Sequence, residues 1–147
     1  MLRGEFDPQT GRPSLKGRLT LPRLRVSGEV TWLIDTEADS SLLNPSDVTD
    51  LGIDLSQLRG HGESRGVGAR AETYIEQAML VFDEPLVSFH IYVRDLAISM
   101  PDPDLDGLPS LLGRDILDNW AMSYNPSEQE LTFRVITAEA TISRLPT

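Results

Sequence analysis

The chain has 147 residues, no cysteine and a formal net charge of −10. That length suits one domain, 1–147 with its core over about 15–136, large enough to bury a real core without disulfide or metal staples. The missing thiols exclude cysteine nucleophiles, Cys-ligated zinc and disulfides, and an acidic chain without a Lys/Arg cluster excludes a nucleic-acid groove.

The opening MLRGEFDPQTGRP lacks the apolar core of a signal peptide. No apolar run approaches the roughly 20 residues of a membrane span. The expectation is a soluble, cytoplasmic protein with no membrane partner. Arg12, Lys16, Arg18, Arg23 and Arg25 are scattered along strand-like segments and read as a solvated outer face.

Pro and Gly punctuate short apolar segments, the mark of many short strands. SLKGRLTLPRL and RVSGEVTWLID read as two strands of a hairpin around Ser27-Gly28. Leu19 and Leu21 alternate with polar neighbours, whereas Val30 to Ile34 is more continuously apolar and so more buried. NPSDVTDLGID is the clearest helix: Asn44 can cap it, Pro45 suits its first position, Asp47 lies in its first turn, and Gly52 can end it. TYIEQAMLVF and LVSFHIYVRDLAI read as strands joined by a turn at Asp83-Glu84-Pro85. GRDILDNW reads as a short helix. AMSYNPSEQELTFRVI reads as a closing hairpin turning at Asn125 to Glu128, and residues 138–147 form a tail or an extra pairing strand. The expected class is all-β with one or two short helices.

Three features stand in order along this frame. The first is Asp35-Thr36-Glu37-Ala38-Asp39-Ser40, where the most apolar strand ends. The second is ESRGVGARAETY, Glu63 to Tyr74, a glycine-bearing turn between extended segments. The third is PSLLGRDIL, Pro109 to Leu117, an apolar pair followed by Gly-Arg-Asp. A lone Asp-Thr is most often a capped turn; agreement among several features is what makes it a candidate site.

The arrangement resembles the retropepsin-like aspartic peptidases, the family of retroviral proteases and their cellular and bacterial relatives. That family runs from a strand ending in Asp-Thr/Ser-Gly-Ala, through a flap hairpin, to an apolar-apolar-Gly segment entering a helix. LIDTEADSSLL, RGVGAR and SLLGRDIL stand at those places. The helix at NPSDVTDLGI resembles the bacterial and cellular branch. The resemblance implies a half-barrel acid-protease fold, a two-fold homodimer, no cofactor and an extended peptide or protein substrate. It implies that Asp35 is catalytic and that Thr36 hydrogen-bonds across the dimer. Ala38 would line the cleft, and Asp39 would hold substrate backbone and pair with Arg114. Gly66, Val67 and Gly68 would form the flap tip. Leu111 and Leu112 would wall side-chain pockets and, with Gly113, brace the catalytic loop.

The chemistry fits. Metal-free peptide hydrolysis needs one carboxylate to activate water and one acid to protonate the carbonyl; two carboxylates in contact share one proton and do both. The chain offers one Asp-Thr motif, so the second aspartate must come from a second copy. Glu37 is the departure, because the family has glycine there. A glutamate adds a side chain to a crowded loop and one more carboxylate per chain. Three consequences stay open: an inactive peptide-binding or dimerisation module, weakened activity with the side chain turned outward, or a catalytic role for Glu37 itself.

Other motifs read as structural. DPDLDG, Asp102 to Gly107, imitates the start of a calcium loop, but the residue needed to close that loop falls on Gly113, and Pro103 and Pro109 break the flanking helices. It reads as an acidic surface loop, and no metal is expected. His61 and His90 form no metal or triad pattern, and His90 lies in an apolar strand. Trp32 and Trp120 read as core or interface residues.

Overall fold

The computed structural model describes residues 1–66 and 69–144, and for 60–66 and 69–72 its backbone alone. The elements in chain order are β1 Leu2–Arg3, β2 Glu5–Phe6, β3 Pro13–Leu21, β4 Val26–Ile34, β5 Leu42–Leu43, helix α1 Pro45–Asp50, β6 Gly60–Gly66, β7 Ala69–Glu84 and β8 Ser88–Ser99. They continue as β9 Ser110–Leu112, helix α2 Arg114–Leu117, β10 Trp120–Asn125, β11 Glu130–Val135 and β12 Ala140–Ser143.

The main sheet runs β12-β8-β5-β9-β4-β3-β7-β6, and β7 pairs again with β8. That second pairing closes β8, β5, β9, β4, β3 and β7 into a barrel, which removes their free edges. A smaller sheet, β1-β11-β10, packs beside it. Alternation decides what faces inward: along β3, Leu15, Leu19 and Leu21 are buried while Lys16 and Arg18 are exposed. Between barrel and small sheet lies an aromatic cluster. Trp120 meets Phe82 edge-on at 4.9 Å and Phe133 at 5.2 Å, and its Nε1 donates to the Tyr92 hydroxyl at 2.7 Å. That hydroxyl in turn donates to the Thr137 carbonyl at 2.7 Å, so the polar atoms of this cluster are satisfied.

Several expectations need correction. The β3–β4 hairpin forms, but its turn is a 3-10 turn at Pro22–Leu24, with Arg25 left-handed at φ 54. Ser27 and Gly28 lie inside β4 instead. Gly28 is there for close approach: a Cβ on it would meet Leu51 Cδ2 at 2.4 Å, so the missing side chain is what lets the segment after α1 sit on the strand. The β7–β8 turn falls two residues later than expected, at 85–87, with Leu86 at φ 67. Helix α1 starts after Asn44 with Pro45 first, as expected, but the Asn44 side chain does not cap it. Its Nδ2 donates to the Pro109 carbonyl at 2.6 Å. Arg23 is no simple surface charge: its guanidinium grips the buried Glu76 carboxylate and donates to the Gln57 carbonyl at 2.6 Å. The N-terminal strands β1 and β2 lie before the expected core, yet Leu2 is 1% exposed. The last segment pairs, with β12 antiparallel to β8.

His90 is buried between β7 and β12, its ring nitrogens 3.1 Å from Thr141 Oγ1 and 3.0 Å from Glu84 Oε1. Among the described residues no helix is long and apolar enough to cross a membrane.

Candidate active site

β4 is not buried continuously from Val30 to Ile34 as expected but alternates, with Val30, Trp32 and Ile34 inward, Glu29 and Thr31 exposed and Leu33 partly buried. It ends at Ile34 between β3 and β9. The chain then leaves the sheet for residues 35–41 and returns as β5. A strand from much later in the sequence, β9, fills the space between. It pairs parallel to β4, with Leu33 beside Leu111 and Ile34 beside Leu112, and antiparallel to β5 at Leu42. Asp35 therefore sits on a loop slung over the end of an inserted strand.

That loop is held at every step. The Asp35 N–H donates to the Leu112 carbonyl at 3.0 Å. The Asp35 carboxylate accepts the Glu37 N–H at 3.0 Å, and the Ala38 N–H turns back to the Asp35 carbonyl at 3.3 Å. The start of α2 clamps the far side: Arg114 N–H donates to the Ala38 carbonyl at 2.9 Å and Asp115 N–H to the Asp39 carbonyl at 3.2 Å. The Asp115 carboxylate accepts both Ser41 N–H, at 3.0 Å, and Ser41 Oγ, at 2.8 Å. Ser41 Oγ accepts the Gly113 N–H at 3.0 Å. No side chain fits between these layers. A Cβ on Gly113 would lie 2.7 Å from the Ser40 carbonyl carbon and 2.8 Å from the Ala38 oxygen, so glycine is required by contact with backbone that cannot yield.

The expected site residues fall as follows. Asp35 and Ala38 are partly buried; Thr36, Glu37 and Asp39 are exposed. Asp39 and Arg114 form an ion pair between exposed side chains. Leu111 is partly buried on β9. Leu112 is 0% exposed, so its side chain belongs to the core and its carbonyl makes the contact with the loop. Gly66 ends β6, which pairs antiparallel with β7 from Gly60–Ile75 to Gly66–Ala69. Val67 and Gly68 lie outside the described residues. Glu37 is absent from the described non-glycine residues with positive φ, so its backbone is ordinary there and its side chain stands in solvent. Within one chain it crowds nothing.

Around the loop, Asp39 is paired with Arg114, Asp115 holds Ser41, and Asp47 accepts the Ser110 hydroxyl at 2.5 Å. The side chains of Asp35 and Glu37 take part in no ion pair among the described residues. Ser41 and Asp115 were not singled out from the sequence. Ser40-Ser41 offers two equal hydroxyls, and nothing in the string says which one turns inward. No group of residues suited to a metal ion occurs among the described residues, the Asp102–Gly107 loop included.

No protein-family model matches the sequence, and no curated protein matches it. A solved structure, a retropepsin-like aspartic protease from Rickettsia conorii, is similar over 95% of this chain and 91% of its own, with a TM-score of 0.58 and 14% identity. The fold is retropepsin-like.

Proposed function

We propose that this chain is an aspartic endopeptidase that works as a two-fold dimer of single 1–147 domains. One observation carries this reading. A partly buried aspartate, with no ion-pair partner among the described residues, rides on a loop whose backbone is pinned by β9 and α2. Such pinning is what a preorganised catalytic group requires. An acid capping an idle turn has no need of it.

The chemistry follows from two copies of Asp35 meeting on the axis. Repulsion between them favours a single shared proton, and the apparent pKa values belong to the pair. The ionised member takes a proton from water as that water attacks the scissile carbonyl, while the protonated member gives its proton to the carbonyl oxygen. The proton taken from water then passes to the amide nitrogen as the C–N bond breaks, and the hydroxyl proton returns to the pair. The substrate lies extended between the β6–β7 hairpins and the Asp35 loops, held by strand-like hydrogen bonds that Ala38 and Asp39 border. Thr36 ties the two loops together across the axis, and Arg114 steadies Asp39. The backbone of the β6–β7 hairpin, which ends β6 at Gly66, borders the peptide, and Leu111 contributes to the apolar wall. Glu37 restrains the reaction by adding one carboxylate per chain beside the pair.

The test is cleavage of a mixed peptide library between about pH 3 and 7, the range over which a carboxylate dyad titrates. The chain is expected to cleave, Asp35→Asn to lose all cleavage, and Glu37→Gly to cleave faster. Retained cleavage in Asp35→Asn would exclude the mechanism. Cleavage by Glu37→Gly alone would make the natural chain a peptide-binding module with a silenced site.

A further inference from the structure

The charge of the chain is unevenly placed. Residues 44–58 carry Asp47, Asp50 and Asp54 and no Lys or Arg; residues 99–109 carry Asp102, Asp104 and Asp106 and again no Lys or Arg. These two segments face each other across a groove of about 450 Å³. Its lining is mixed: Pro45, Leu55 and Pro101 give it apolar surface, Val48 and Ile53 are largely buried, and Ser46, Thr49 and Ser99 are polar. Asp50 and Asp106 stand exposed at its edges, and neither has an ion-pair partner among the described residues.

The walls are built rather than loose. Ser110 Oγ donates to Asp47 and accepts the Asn44 N–H at 2.9 Å, and Asn44 Nδ2 holds the Pro109 carbonyl. Gly107 N–H donates to Ser46 Oγ at 3.3 Å. The segments also enter the site directly: α1 follows β5, and the 99–109 segment leads into β9. An occupant would thus lie one strand away from the Asp35 loop.

The chemistry of the groove selects its occupant. A metal ion needs its carboxylates to converge, and no such convergence occurs among the described residues. Two exposed aspartates, Asp50 and Asp106, lining a partly apolar trough suit Lys and Arg, whose aliphatic stems lie on apolar surface while their charged ends reach the carboxylates. We propose that this groove is an exosite that docks a short basic, leucine-bearing stretch of the peptide or protein substrate. It rests on the peptidase assignment for the word substrate, but binding itself can be measured without cleavage.

The experiment uses the full chain carrying Asp35→Asn, which keeps a probe uncut, and a fluorescein-labelled octapeptide of alternating Lys and Leu. Anisotropy is expected to show saturable binding. Affinity should fall about tenfold with Asp50→Asn/Asp106→Asn and also on raising salt from about 0.05 to 0.5 M. Glu29→Gln/Asp118→Asn, which removes the same charge from elsewhere on the surface, should leave affinity unchanged. Equal weakening by both double variants would reduce the effect to net charge and overturn the site. So would equal binding of a Lys-Ser probe, because the apolar part of the lining would then be idle. Calcium chloride titrated alone should give no saturable heat; binding at the same two aspartates would overturn the choice of occupant. In the unmodified chain, cleavage of a basic-tailed peptide should show a raised KM with unchanged kcat in Asp50→Asn/Asp106→Asn. Cleavage of nothing, with probe binding intact, would remove the peptidase reading and leave the docking groove standing.

Discussion

Asp35 and Asp102 make the same local turn. Each carboxylate accepts the backbone N–H two residues on, Glu37 at 3.0 Å and Asp104 at 2.9 Å, and Asp54 repeats it with Ser56 at 3.0 Å. This is the ordinary habit of aspartate at a chain reversal. The difference lies outside the turn. Asp102 to Gly107 is mostly exposed and bonded mainly within itself by 3-10 bonds. Among the described residues its ties outward come at its far end, from Gly107 to Ser46 and, just beyond, from Asn44 to the Pro109 carbonyl. The Asp35 loop is gripped by Leu112, Arg114, Asp115 and Ser41, which come from two other elements and its own far end. A candidate site is therefore recognised here by what holds the turn, since the turn itself is common.

The sharpest way to break this contrast is at the two glycines. Gly113→Ala forces a methyl into backbone and is expected to cost about 3 kcal/mol and to abolish cleavage. Gly107 has φ +78 with nothing near its missing Cβ, so Gly107→Ala should cost only about 1 kcal/mol of backbone strain and leave cleavage intact. Urea midpoints of the two variants check this; equal losses would mean that the brace is not special.

A smaller effect is expected at the carboxylates. Asp115→Ala strands the buried Ser41 N–H and hydroxyl and should cost about 2 kcal/mol. Asp102→Ala removes an exposed turn cap and should cost about 0.5 kcal/mol. A Glu37→Ala change should shift the urea midpoint of the single chain least of these, within about 0.5 kcal/mol, because its side chain is exposed.

The weakest signal is in pH. The Ser56 hydroxyl and then the Ser56 N–H hold the Asp54 carboxyl below its ordinary 3.8. A depressed carboxyl stabilises the fold above its unfolded value and loses that contribution as pH falls through its folded value. Asp54→Asn should therefore be slightly less stable than the parent at neutral pH, and the gap should close below about pH 3.8. Denaturation midpoints measured down the acid limb would show it; a gap that widened with acid would reverse the sign.

Much of the frame was legible because it rests on local rules. Alternation at Leu19 and Leu21, Pro45 at a helix start, and Asn125 to Glu128 between two apolar runs each point to the element that forms, whereas Val30 to Ile34, read as continuously buried, alternates instead. The failures share a different cause. Ser27-Gly28 has the composition of a turn, but Leu51 packs against the bare glycine, a contact between distant parts of the chain. Asn44 has the composition of a cap, but the Pro109 carbonyl takes its amide. For the candidate site, the string marks the Asp35 motif and Leu-Leu-Gly-Arg. It marks Asp115 only as the end of the Gly-Arg-Asp run and gives neither it nor Ser41 a partner, because their pairing exists only once β9 is inserted. Short-range chemistry writes the elements, and long-range contact decides how each side chain is used.

The inserted strand also sets an order of events. β7 and β8 meet across a tight turn and are free to pair as soon as both exist, whereas β4 must wait for residues 110–112. Loop closure over that separation comes late in folding. A chain still being synthesised, stopped anywhere before Ser110, carries Asp35 but none of its clamp. The Asp35 loop therefore gains its brace only once residues 110–117 exist, and a chain shortened before them would carry the aspartate on an unsupported turn.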